Sequence, residues 1–214
     1  MITAVVLTKN EEKNIEACLG SLKWCEEIIV VDDYSQTPLR SEKLRDFVGQ
    51  VKLKIYKRHL DGDFAAQRNY GLQKAKGEWV LFVDADERIS TALRQEIIKL
   101  SNYQIANYNG FYFKRTDYFG GRWLKYGETN HIRLLRLIKK GTGEWRGKVH
   151  EIFKIKGYTH ELKNPLLHFP HPTITEFLLQ INYYSDLRAE ELYSNKVRSS
   201  LFQILGYPLA KFIQ

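Results

Sequence analysis

The chain has 214 residues, 43% of them hydrophobic and 13% aromatic, with 33 Lys and Arg against 25 Asp and Glu for a formal net charge of +8. That length and composition suit one large globular domain, or one domain with an appendage, around a substantial core. No apolar run nears the roughly 18 residues of a membrane span, and the amino terminus enters a strand without a basic-then-apolar leader, so a cytoplasmic protein is expected.

Ile2 to Leu7 is a continuous apolar run that ends at Thr8-Lys9-Asn10-Glu11, and Ile15, Cys18, Leu19 and Leu22 then recur at helical spacing. Glu27 to Val31 is a second apolar run, ending in acid at Asp32-Asp33. A helix is expected from Ser41 to about Val48, a third strand over Val51 to Tyr56, and a third helix from Phe64 to Ala75 carrying Gln67-Arg68-Asn69. A fourth strand then runs from Trp79 to Val83 and stops in Asp84-Ala85-Asp86-Glu87. Strand and helix alternate throughout, which predicts a mainly parallel, Rossmann-like sheet flanked by helices, with ligands gathered at the strands' carboxyl ends. Three of the four ends offer polar side chains, so a shared site is expected there. In an extended segment Asp84 and Asp86 point the same way and can meet one divalent cation.

No G-x-G-x-x-G follows the first strand and no P-loop occurs anywhere, so dinucleotide binding and P-loop chemistry lack support. A site of carboxylates without a glycine loop would need a metal to hold a diphosphate. Cys18 and Cys25 do not form C-x-x-C and are expected as buried free thiols.

Beyond the acids, a helix capped by Ser90 is expected over Thr91 to Leu100, then strands over Phe111 to Tyr118 and Ile132 to Ile138. The segment Phe119 to Gly127 between them, rich in Gly, Arg and aromatics, suits a substrate lid. Trp145 to Glu151 sets His150 beside Glu151, which on a strand would face opposite ways. Pro165 to Pro172 holds His168 and His171. From Ile174 to about Lys196 a helix is expected, with Phe177, Leu178, Ile181, Tyr184 and Leu187 on a face that suits a core. The apolar tail from Leu201 to Ile213 contains a helix-breaking proline and either packs or rests on a membrane interface. The basic stretches Lys52 to Arg58 and Arg133 to Lys140 read as alternating strands whose cationic faces are solvated.

Together, Thr8-Lys9-Asn10-Glu11, Ile28 to Asp33, Gln67 to Leu72, Trp79 to Glu87 and Gly147-Lys148-Val149-His150-Glu151 resemble the family 2 glycosyltransferases of the GT-A fold. The resemblance covers most of the chain and is strongest to small bacterial enzymes of lipopolysaccharide core and other cell-envelope glycans. It implies a GT-A catalytic domain over residues 1–170, with a donor half at 1–100 and an acceptor half at 101–170, and a helical, membrane-proximal appendage at 171–214. It also implies an inverting, metal-dependent hexosyl transfer from a nucleotide sugar, a UDP-sugar being favoured, to a glycan or lipid-linked acceptor. Thr8, Asn10, Glu11, Asp32, Asp33, Arg68, Asp84, Ala85 and Asp86 would line the donor nucleotide. Asp86 would ligate Mg²⁺ or Mn²⁺ with Asp84 beside it, and Glu151, or else His150, would be the general base. The family's second strand usually continues D-x-x-S-x-D, whereas this chain has Thr37 at the last acid. The family commonly runs on into a further apolar, basic tail, so a trimmed chain is expected.

Two rivals remain at this point. A sugar nucleotidyltransferase would need a glycine- and arginine-rich loop where Lys9-Asn10-Glu11 stands. A basic protein that binds nucleic acid or a membrane surface would have no use for acids at successive strand ends, which repel phosphate. No nucleic-acid partner is therefore expected, while the net charge keeps an association with the inner face of the cell membrane open.

Overall fold

The computed structural model describes residues 1–100, 102–126, 131–170 and 173–213. His171 and Gly127 lie outside the described residues. The chain divides into two compact units, Met1–Pro172 and Thr173–Gln214.

In the first unit, strands β1 (Ile2–Thr8), β2 (Glu27–Asp32), β3 (Lys52–Lys57) and β4 (Trp79–Asp84) pair in parallel in the order β3-β2-β1-β4. Helices α1 (Ile15–Ser21), α2 (Ser41–Val48) and α3 (Phe64–Lys74) connect them. The apolar runs are unbroken because both faces of this sheet are covered. Ala4, Val6, Ile28, Val30, Leu81 and Val83 enter one core cluster, and the alternate residues Val5, Ile29, Val31, Val80 and Phe82 enter the other. Gly71 lets α3 lie directly on β1, since a Cβ there would overlap Cγ1 of Val5.

The sheet continues past β4 with mixed pairing. β5 (Glu87–Ile89), α4 (Thr91–Ile98) and α5 (Asn102–Asn107) precede β6 (Gly110–Phe119), β7 (Arg122–Trp123), β8 (Arg133–Lys139), β9 (Gly143–Arg146), β10 (Ile152–Ile155) and β11 (Thr159–His168). β8 runs antiparallel between β4 and β6, and β11 is parallel to β6 and antiparallel to β5, giving the order β4-β8-β6-β11-β5. β9 and β10 form a separate antiparallel pair. The helix after the acids starts where expected, with the Ser90 hydroxyl accepting from Leu93 N. Gly120 and Gly121, at φ +56° and +83°, make the turn from β6 into β7. His150 and Glu151 are not on a strand: they sit in the loop between β9 and β10, and His150 takes a left-handed backbone (φ +56°).

The second unit consists of α6 (Ile174–Ser194), whose N-cap Thr173 accepts from Glu176 N, and α7 (Leu201–Ile213). Two expectations fail here. No residue of α6 is buried, so its apolar face does not form a core among the described residues. Pro208 lies within α7 rather than ending it; the hydrogen bond it forfeits is to the carbonyl of Ile204, an exposed residue where water can serve. Among the described residues no helix is long and apolar enough to cross a membrane.

Candidate active site

The parallel register sets Thr8 opposite Asp32 and Leu7 opposite Asp84, so the ends of β1, β2 and β4 form one edge. At that edge the buried Thr8 Oγ1 and Asp32 Oδ2 lack a hydrogen-bond partner among the described residues, as does Nη1 of Arg68. The other Asp32 oxygen accepts from Ser35 N at 3.1 Å and from Ser35 Oγ at 2.5 Å, which fixes the carboxylate. Buried orphans of this kind are costly unless a ligand completes them. Asp33 and Asn10 are used differently. Asp33 accepts from Leu60 N and pairs with Lys9, while Asn10 ties the first loop to the second through Ser35 and Gln36. Glu11 is half-buried, and burial pushes its carboxyl up to about 7.

Asp84 closes β4 between two arginines. Arg68 Nη2 lies 2.9 Å from its Oδ1, and Arg136 Nη2 lies 2.7 Å from its Oδ2. Burial alone would raise the Asp84 pKa, but Arg136 and Arg68 overcome it and hold the carboxyl well below the usual range. The ladder bond from Ala85 N to Leu7 O is the last of the β1–β4 pairing, and after it the chain turns, with Asp84 N donating to Glu87 Oε2 across the turn. Asp84 and Asp86 therefore share no partner among the described residues. Arg136, read from the sequence as part of a solvated face, is buried and also pairs with buried Glu87.

Asp86 faces His168 at the end of β11, with Nε2 3.3 Å from Oδ2, and Phe169 N donates to Asp86 O. The other ring nitrogen, Nδ1, lies 3.0 Å from Asp117 Oδ1 on β6. Although burial opposes it, the pairing with Asp117 and Asp86 pushes His168 up to about 10. An imidazole charged at neutral pH and set between two carboxylates ties the end of β11 to β6 and to Asp86; it could ligate a cation only after giving up the Nε2 proton. The described residues hold no cluster of three or more His, Cys, Asp or Glu side chains suited to a metal. The Asp86 carboxylate alone supplies an oxygen of the kind a Mg²⁺ takes, and such an ion would draw its remaining ligands from substrate phosphates and water.

The same Arg68 reaches the other side of the site, its Nε 2.6 Å from Glu151 Oε1. Helix α3 sets this geometry: Asp63 caps it, Phe64 N donates to Lys148 O, and Asn69 brackets the backbone of Trp145 through both amide atoms. The loop carrying Glu151 is thus fastened to the helix carrying Arg68. Glu151 Oε2 accepts no hydrogen bond from a described residue, and His150 is exposed. The structure thus brings Thr8, Asp32, Arg68, Asp84 and Glu151 to one edge and uses Asn10 and Asp33 to shape it. Sequence reasoning missed Arg136, His168 and Asp117. The signal for Arg136 was a charge inside Leu134-Leu135-Arg136-Leu137-Ile138; for His168 it was a histidine closing an apolar pair, Leu166-Leu167.

The model of the family described as Glycosyl transferase family 2 matches residues 3–168. The chain belongs to this glycosyltransferase family. It is 26% identical over 219 residues to the lipopolysaccharide core biosynthesis glycosyltransferase LpsC of Rhizobium meliloti, covering 100% of this chain and 79% of that one. It is 30% identical over 164 residues to the SPbeta prophage-derived glycosyltransferase SunS of Bacillus subtilis, covering 75% of this chain but only 36% of SunS. Among solved structures, S. aureus TarS 1-349 in complex with UDP-GlcNAc aligns with a TM-score of 0.60 at 18% identity, over 82% of this chain and 60% of that one. The same protein in complex with UDP gives 0.56 at 18% identity, over 87% of this chain and 64% of TarS. These likenesses show the GT-A fold expected for a family 2 glycosyltransferase.

Proposed function

We propose that this glycosyltransferase moves a hexosyl group, with inversion and with the help of a divalent metal, from a UDP-sugar to a hydroxyl of a cell-envelope glycan or lipid-linked acceptor. The observation that carries the reading is Arg68, whose one guanidinium joins Asp84 at the donor strand to Glu151 on the opposite loop, at 2.9 and 2.6 Å. In this reading residues 1–100 handle the donor, 101–170 the acceptor, and 171–214 form a helical appendage.

Thr8 Oγ1 and Asp32 Oδ2 are assigned to the nucleotide base or ribose, whose N–H and O–H donors would satisfy them. Asp84 is held by its arginines, which leaves Asp86, with His168, as the acid offering an oxygen to the cation. Asp117 orients the His168 ring. A bound Mg²⁺ or Mn²⁺ would supply the positive charge that offsets the departing diphosphate. The acceptor oxygen attacks the anomeric carbon as the bond to the diphosphate breaks, and this single displacement inverts the centre. Glu151 Oε2 takes the proton while Arg68 holds Oε1 and so aims the carboxylate; general-base help of this kind is worth about 10²- to 10⁴-fold.

The deciding experiment is a thermal-shift panel of nucleotide sugars with Mn²⁺ or Mg²⁺, since a bound donor stabilises the fold by mass action. A UDP-sugar with metal should raise the melting temperature, and either alone should raise it less. No shift with any nucleoside diphosphate sugar would sink the proposal.

A further inference from the structure

Three aromatic rings stand in mutual contact just past the acidic corner. Tyr118 on β6 and Trp123 on β7 are register partners with ring centroids 5.0 Å apart, and Phe169, directly after β11, lies 5.5 Å from each. The cluster is fastened to the site by its backbone, because Leu124 N donates to Asp117 O and Phe169 N donates to Asp86 O. Trp123 is 38% exposed, whereas Trp79 and Trp145 are buried and Trp24 is half-buried.

The sheet puts these rings beside the transfer chemistry. β6 is parallel to β11 and, across antiparallel β8, runs in the direction of β4, so the three strands end at the edge where Asp84 lies. Side chains alternate along a strand. Phe111 and Phe113 enter one core cluster and Tyr112 packs against the other, which contains Trp145, so Tyr118 lies on the Trp145 side of the sheet. Arg68, the partner of Glu151, lies over that same Trp145 ring at 5.0 Å. The rings and the Glu151 carboxylate therefore share one face and one edge.

The polar group at the rings selects what they hold. Arg88, register partner of Leu167, sets its guanidinium 3.9 Å from the centroid of Phe169, and its N–H donors meet no acceptor among the described residues. A guanidinium offers five donors and no acceptor, in a fork that matches a carboxylate or phosphate. The hydroxyls of a neutral sugar also donate, and Arg88 would accept nothing from them. Exposed Arg122 and Lys125 add positive charge to the same hairpin. Ring faces suit the C–H face of a pyranose, which is apolar although its rim is polar. We propose that Trp123, Tyr118 and Phe169 form an acceptor subsite for an acidic pyranose, with the sugar's C–H face on the rings and its anionic group on Arg88. The subsite rests on the proposed glycosyl transfer, whose acceptor it would hold.

The test is saturation-transfer NMR of the full chain, with UDP and Mn²⁺ present to fill the donor side, titrated with methyl β-D-glucuronide, glucose 6-phosphate and neutral methyl β-D-glucoside. One anionic probe should bind at least about tenfold more tightly than the glucoside, the usual worth of a hydrogen bond to a charged group, with saturation reaching its ring C–H protons. Which of the two binds distinguishes a carboxylate from a phosphate. Trp123→Ala and Arg88→Gln should each weaken that probe at least about tenfold, while Trp123→Phe, which keeps a ring, should weaken it no more than about threefold. In each variant the thermal shift given by a UDP-sugar with Mn²⁺ should match that of the parent, which reports the fold and the donor side separately. Equal binding of neutral and anionic probes, no binding of any probe, or parental binding by Trp123→Ala would overturn the subsite. A missing donor shift in a parent protein that still binds the anionic probe would instead overturn the transferase assignment.

Discussion

Arg136 Nη2 lies 2.7 Å from Asp84 Oδ2 across the antiparallel β4–β8 seam, and the same nitrogen lies 2.8 Å from Glu87 Oε1. An arginine so placed holds the acidic corner together from β8. Arg136→Met keeps most of the volume but leaves Glu87 buried without its cation, which costs about 3–5 kcal/mol. A fall in melting temperature of about 10 °C is expected. Adding Glu87→Gln should recover part of it, because the stranded charge is then gone. Chemical denaturation of the single and double variants measures this, and a single variant as stable as the parent would contradict the assignment.

Asp86 and Asp117 should separate direct and indirect effects on the metal. Asp86→Ala should abolish the extra stabilisation that Mn²⁺ gives to a bound nucleoside diphosphate. Asp117→Asn leaves Asp86 and His168 in place but removes the charge that orients His168 Nδ1, 3.0 Å away. Outer partners of this type are worth about 10- to 100-fold in metal affinity. Titration calorimetry of Mn²⁺ in the presence of UDP reads both, and full affinity in the Asp86 variant would remove it from the metal site.

The parallel half of the fold was legible because each strand is buried on both faces, which leaves an unbroken apolar run with an abrupt polar end, as at Val83-Asp84. The mixed half was less so. β5 has three residues and β10 four, too short to print a periodicity. Arg136 was legible only as a charge in a strand. Its partner lies 52 positions earlier, and alternation cannot tell a solvated arginine from one that a neighbouring strand neutralises. The D-x-D was found by its composition, but its turn was not, because Glu87, which accepts from Asp84 N across the turn, is held by Arg136 from a strand that only the folded sheet brings near. The helix α6 was legible as a helix, yet periodicity alone does not say whether an apolar face meets protein or something else.

Glu11 makes stability depend on pH in a defined window. Its ordinary value is 4.5 and burial raises it to about 7 in the folded chain, so between those values the native state binds more protons than the unfolded one. Its contribution is full below pH 4.5, declines as pH rises, and is lost above about 7. Glu11→Gln should therefore melt higher than the parent at pH 8 and close to it at pH 4.5. The comparison is a melting-temperature series against pH for the two proteins, and parallel curves would show that Glu11 is not the group responsible.

Glu151 should be separable from donor binding. Gln keeps an oxygen for Arg68 Nε, which sits 2.6 Å from Oε1, so Glu151→Gln preserves the tie between the β9–β10 loop and α3. What it loses is the oxygen proposed to receive the acceptor proton. Turnover should fall about 10²- to 10⁴-fold while the thermal shift given by UDP-sugar and Mn²⁺ stays near that of the parent. Glu151→Ala breaks the tie as well and leaves buried Arg68 with one partner fewer, so it should also lower the melting temperature. His150→Ala serves as the contrast, because this exposed side chain should affect turnover far less. If Glu151→Gln turned over normally and His150→Ala did not, the proton would pass to the imidazole, and Glu151 would be left with the positioning of Arg68.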